Sequence, residues 1–151
     1  MRCLLLYPYP VEPDGVSLQG YYLMKGLQEL GNEVMPCDRA DTMQKLWAYH
    51  SFKPDVIIGI GHWGEIPEVV HSPLNHGLKA VPWFNADGWI ANYHNTLNSL
   101  PLIVATSNWV RHCLPFTHHE QQLERKNHYG VAKRGQNQQN PASDWDCKPD
   151  H

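Results

Sequence analysis

The sequence predicts an α/β fold: a Rossmann-like, doubly wound parallel sheet of about five strands. Three observations predict it. Apolar runs of strand length recur through the first 114 residues, stretches with helical periodicity separate them, and the connections between are short. The runs are nearly continuous rather than alternating, which suits strands covered on both faces, as in a parallel sheet. Parallel strands need right-handed crossovers, so helices are expected on both faces. By analogy with such sheets the expected strand order is 3-2-1-4-5. Ligands are expected beyond the carboxyl ends of the strands, near the topological switch point.

The strand candidates are residues 3–9, 33–37, 56–60, 80–84 and 102–105. The clearest helix candidate is 17–30, where Leu23, Gly26, Leu27 and Leu30 form a stripe at i, i+3, i+4 and i+7. Ser17 is its expected N-cap, and Gly31 stands where a helix end favours a residue tolerant of positive φ. Gly26 costs the helix ~1 kcal/mol relative to Ala unless it lets the helix approach the sheet closely. Further helix candidates are 42–52, 66–75, 89–98 and 107–114. Pro67 suits a first turn, whereas Pro73 blurs the end of its stretch. Pro54 and Pro101 punctuate the units just before strands.

Composition changes abruptly near Pro115. Beyond Leu114 only Leu123 and Val131 remain of the Leu, Ile and Val residues, among runs such as His118-His119-Glu120-Gln121-Gln122. Such a stretch buries too little apolar surface to offset ~1–2 kcal/mol of backbone entropy per ordered residue. The expected organisation is therefore a domain over 1–114 and a polar, disordered tail over 115–151, with a short helix near 120–127. The break also fits a truncated or frame-shifted gene end.

Other classes are excluded more simply. Twelve Lys and Arg against 15 Asp and Glu give a net charge of −3, unlike the basic stripe of a nucleic-acid binder. No apolar run approaches the ~18 residues of a membrane helix. The opening residues lack a secretory h-region and cleavage site. Cys3, Cys37, Cys113 and Cys147 are scattered without a CxxC pair, which reads as reduced thiols in a cytoplasmic protein.

Four clusters after the strand candidates carry the functional reading. In Pro10–Gly20, Gly15 and Ser17 permit close approach of an anion to a helix N-terminus; a plain capped turn explains them equally. There is no GxGxxG and no GK[ST]. In Gly61-His62-Trp63-Gly64-Glu65, His62 can hydrogen-bond a sugar hydroxyl or accept a proton near neutral pH. Trp63 can stack on a sugar face or pack beneath the loop, and Glu65 suits a first helical turn. In Trp83-Phe84-Asn85-Ala86-Asp87-Gly88-Trp89, Asn85 and Asp87 can contact a polyol, although Asp87-Gly88 is also an ordinary turn signal. Ser107, in Thr106-Ser107-Asn108-Trp109, caps the last helix or faces the same cleft. No metal site is expected: His71 and His76 lack i, i+4 spacing, and His118-His119 have no ligand partners at zinc-like spacing. No GxSxG is present either.

Together these clusters resemble the N-terminal half of GT-B glycosyltransferases of the family 4 type. The resemblance rests on Tyr7-Pro8-Tyr9-Pro10 followed by Gly15-Val16-Ser17, then Leu23-Met24-Lys25-Gly26-Leu27-Gln28-Glu29-Leu30-Gly31-Asn32-Glu33-Val34, similar to that family's LxxxLxxxGHEV pattern with Asn32 in place of His. Lys53-Pro54-Asp55-Val56-Ile57-Ile58 is similar to its PDVIH region, and Ile103-Val104-Ala105-Thr106-Ser107-Asn108-Trp109-Val110 to its late strand and helix. The match spans about residues 2–114.

The resemblance implies one wall of an interdomain cleft, binding a sugar acceptor, in a protein that transfers sugar from a nucleotide-sugar to a hydroxyl. It implies no cofactor and no tightly held metal. The half that would bind the donor and carry an E-x7-E-type motif has no counterpart in the sequence, so a separate donor-binding domain is the expected partner. Two alternatives stand beside it: a non-catalytic Rossmann-like module holding a small polar ligand, and a flavodoxin- or receiver-type protein. A receiver needs an acidic pair after the first strand and an Asp after the third, where this chain has Tyr7-Pro8-Tyr9 and Gly61-His62-Trp63.

Overall fold

A computed structural model describes residues 1–85 and 93–113. The expected tail, and the first residues of the helix expected at 89–98, lie outside the described residues. Five strands form one all-parallel sheet: β1 (Arg2–Tyr7), β2 (Glu33–Asp38), β3 (Val56–Gly61), β4 (Ala80–Phe84) and β5 (Val104–Ala105). The helices are α1 (Gly15–Glu29), α2 (Thr42–Trp47), α3 (Ser72–Asn75), α4 (His94–Asn98) and α5 (Asn108–Cys113). A π-helical turn, Ala48–Phe52, extends α2; a 3-10 turn, Trp63–Glu65, and a second π-helical turn, Pro67–His71, lead into α3. Pro73 therefore stands near the start of α3, which continues directly from the π-helical turn.

The strand order is β2-β1-β3-β4-β5, not 3-2-1-4-5. Only one strand lies outside β1 before the chain returns to its other side, where Cys3 pairs with Val56 and Leu4 with Ile57. The composition of β2 accounts for the difference. Pro36 lies within it and has no N–H to offer a further strand, so β2 is an edge. β1, with Cys3 through Tyr7 fully buried, takes the centre. Removing the outermost strand from the 3-2-1-4-5-6 arrangement leaves this same order, and the switch point stays beside β1.

Alternate residues of each strand feed two cores. Leu5, Tyr7, Ile58 and Ile60 meet α1 through Val16, Leu23, Met24 and Leu27. Leu4, Leu6, Ile57 and Phe84 face the opposite layer, built from Ala48, Tyr49, Phe52, Val69, Val70, Leu97 and Val110.

α1 begins two residues before the expected start. Its cap is Asp14 rather than Ser17: the Asp14 carboxylate accepts from the N–H groups of Val16 at 2.8 Å and Ser17 at 3.0 Å. The buried stripe also shifts. Leu30 is 79% exposed, and a methyl on Gly26 would meet nothing within 4 Å. The close approach occurs at Gly20 instead, which rests on the ring of Tyr7. Gly31 does take a positive φ, of 80°, and Asn32 closes the helix end by donating from its side chain to the Leu27 carbonyl at 3.1 Å.

Candidate functional site

Parallel strands bring all their carboxyl ends to one edge, and the loops there are tied side to side. The Arg39 N–H donates to the Tyr7 carbonyl at 3.2 Å, joining the exits of β2 and β1. The Asn85 N–H donates to the Gly61 carbonyl at 3.3 Å, and the Thr106 N–H to the Phe84 carbonyl at 3.2 Å. These bonds set the residues that follow β3, β4 and β5 in a continuous row. His62, Asn85 and Ser107 therefore share one edge of the molecule.

The first loop is wired for shape. Ser17 is fully buried; its hydroxyl donates to the Pro8 carbonyl at 2.9 Å and accepts from the Glu12 N–H at 2.8 Å. The α1 amides that an anion would need are met by Asp14, which also brings negative charge to that helix end. Gly15 is exposed with open space around it.

The loop after β3 is built around an ion pair that sequence reasoning did not single out. Arg39 and Glu65 pair with their side chains only 16% and 23% exposed. The second Arg39 terminal nitrogen donates to the Ile60 carbonyl at 2.9 Å, and Glu65 also accepts the His62 N–H. Glu65 thus stands in a first turn as expected, but it also anchors a salt bridge across the sheet edge. The available signal was a cation directly after β2, at the sheet's functional edge. A side chain at Gly61 would meet the tip of the Glu65 carboxylate and lie 3.3 Å from Arg39 Nη1, so glycine lets the pair sit close on the strand end.

His62 is exposed, and its ring accepts the Glu65 N–H in a reciprocal capping box. An imidazole that accepts at one nitrogen carries its proton on the other when neutral, so it presents a donor. Trp63 packs its ring on Phe84, with centroids 4.5 Å apart, so at least part of it supports the loop from below.

Asn85 donates from its side-chain nitrogen to the Gln19 side-chain oxygen Oε1 at 3.3 Å, linking β4 to α1. Its side-chain oxygen is shielded from solvent and has no hydrogen-bond partner among the described residues. The Tyr7 hydroxyl and the Trp83 indole nitrogen are in the same condition. Ser107 is exposed and accepts the Val110 N–H at 3.2 Å, so it caps α5. Asp87 lies outside the described residues.

Among the described residues no group of three or more His, Cys, Asp or Glu side chains is placed to hold a metal. His71 lies 3.3 Å from the Thr96 hydroxyl, and His76 donates to the Ser72 carbonyl at 2.8 Å. Cys3 and Cys37 are buried free thiols. No helix among the described residues is long and apolar enough to cross a membrane.

Fold and edge define the chain as a Rossmann-like α/β domain whose polar loops gather at the carboxyl end of a parallel sheet. Compared with protein-family models and with curated proteins, the sequence matches none.

Proposed function

We propose that this domain is the acceptor-side half of a sugar-transferring protein, holding a hydroxylated acceptor against the carboxyl edge of its sheet. The observation that carries the proposal is the shared edge: His62, Asn85 and Ser107 follow three adjacent strands and stand side by side. Open α/β sheets bind ligands at this edge, close to the switch point. In this reading His62 donates a hydrogen bond from its ring N–H to an acceptor hydroxyl and orients it for attack on a donor sugar. Trp63 and Asn85 orient the ring. The nucleotide-sugar is held by a donor-binding domain, which this arrangement requires as its partner.

The arrangement of charge favours an acceptor role. The carboxylate nearest His62, that of Glu65, is engaged by Arg39 and by the His62 N–H, and α1 carries Asp14 at its N-terminus. Neither feature attracts a diphosphate. Titration calorimetry of the chain against free sugars and against nucleotide-sugars tests the reading. Free sugars are expected to bind, and His62→Ala to weaken them about tenfold while lowering the melting temperature by no more than the loss of one helical cap does. Tight binding of nucleotide-sugars alone, or sugar binding indifferent to His62→Ala, overturns it.

A further inference from the structure

The loop after β3 is capped by a histidine where an oxygen would serve at any pH near neutral. Ser, Thr, Asn and Asp, the usual residues at such a cap, accept a hydrogen bond throughout that range. A histidine accepts one only while neutral, and its charge changes between about pH 5 and 8. The His62 ring accepts the Glu65 N–H, and the Glu65 carboxylate accepts the His62 N–H in return. The neutral ring therefore commits one nitrogen to the loop and carries its proton on the other. An imidazolium is protonated at both nitrogens and accepts nothing, so protonation breaks the ring's half of the box. The rest of the loop keeps its bonds. The Glu65 N–H also donates to the His62 carbonyl at 3.1 Å, and the Glu65 carboxylate stays with Arg39 and the His62 N–H. Arg39 holds the Ile60 carbonyl at 2.9 Å, and the Asn85 N–H ties the Gly61 carbonyl to β4 at 3.3 Å.

We propose that His62 is a pH-operated latch. Neutral, its ring is pinned to the turn with one N–H presented at the carboxyl edge; protonated, the ring swings into solvent while the loop stays folded. The latch rests on the acceptor-side reading for what that N–H meets, and it names how the contact is regulated. The surrounding charges favour release. Among the described residues they are Glu65 in the same turn, Arg39 from the end of β2, and Glu68 from the adjoining π-helical turn, whose charge bears on Lys45. Each Glu65 oxygen already has a partner, one in Arg39 and one in the His62 N–H, and Arg39 balances its charge. The Arg39 guanidinium and the amides that open the turn both disfavour a second cation. From β4 the loop meets only the uncharged Phe84 and Asn85. His62 is exposed, so a released ring has room to move.

The test is a nuclear magnetic resonance titration of the full chain from about pH 8 to about pH 5. At the upper end the His62 ring should show a single tautomer and a nuclear Overhauser contact with the Glu65 amide. Both should be lost with one midpoint as the ring takes its proton, while contacts between Gly61 and Asn85 persist. His62→Asn supplies a cap acceptor that does not titrate, so its Glu65 amide should lose that midpoint. A mixture of tautomers at the upper end, or a ring–amide contact that survives protonation, overturns the latch. In parallel, calorimetry with methyl α-glucopyranoside should show binding about tenfold weaker at the lower pH. Ring release with unchanged sugar affinity overturns the latch as a control on the site. Ring release with no sugar bound at either pH leaves the latch standing and removes the acceptor-side reading.

Discussion

At the end of β3, two glycines leave room for groups that hold the site. Gly59 faces Val69: a side chain there would strike the Val69 Cβ and come within 3.0 Å of its carbonyl oxygen. Gly59→Ala should therefore cost about 1–3 kcal/mol, read from the midpoint of urea unfolding, because backbone cannot yield as a side-chain tip can. Gly61 makes space for the Arg39–Glu65 pair. That pair is partly screened by water, so its worth lies between that of a surface bridge and a buried one. Glu65→Gln is expected to lower stability by about 1–2 kcal/mol and to shift the amide resonance of His62, whose N–H the carboxylate accepts. An unmoved His62 resonance would detach the pair from the site. None of these glycine contacts was legible in the sequence, since each joins residues from different elements.

Among the elements, α1 and α2 show how local and tertiary demands divide. Asp14 is the N-cap of α1, and Asp14→Ala should destabilise by about 1 kcal/mol in the same unfolding measurement. Ser17 carries an equally good cap side chain, but folding commits it to the Pro8 carbonyl and the Glu12 N–H. Sequence pattern alone could not choose between two cap-type residues three apart. α2 presents the opposite problem, a lysine inside. Lys45 is 4% exposed, and desolvation lowers its pKa, opposed first by the charge of Glu68. One Glu68 carboxylate oxygen is itself buried without a hydrogen-bond partner among the described residues. Replacing both, as Lys45→Met with Glu68→Gln, removes two poorly solvated charges and should raise the melting temperature by several degrees. A lower melting temperature would show that the charges attract strongly enough to offset their burial.

For the molecule as a whole, burial makes stability depend on pH in two opposed ways. Burial pushes the Cys37 thiol from 9.0 up to about 12 and the Tyr7 phenol from 10.0 up to about 12. Raised groups hold their protons longer in the folded state, so their contribution is complete below pH 9 and is lost as pH rises towards 12. Lys45 acts with the other sign: its folded pKa lies below 10.5, so stability rises with pH as it approaches that value. Burial raises Cys3 and Tyr49 as well, so four raised groups outweigh one lowered group, and the urea midpoint should fall between pH 9 and 11. Cys37→Ala with Tyr7→Phe should flatten that fall, and an equally steep fall in the double variant would mean that other groups govern it.

The sequence by itself determined the fold class, the five strands to within a few residues, the positive-φ glycine after α1 and the positions from which loops reach the carboxyl edge. Those features depend on local pattern: apolar runs of strand length, helical periodicity and turn chemistry. Only the tertiary structure decided the strand order, the pairing of Arg39 with Glu65 and the contact of Asn85 with Gln19. Each is a relation between residues far apart in the chain, fixed by which strand edges can hydrogen-bond and which side chains share a face. Such relations leave no periodic trace along the sequence.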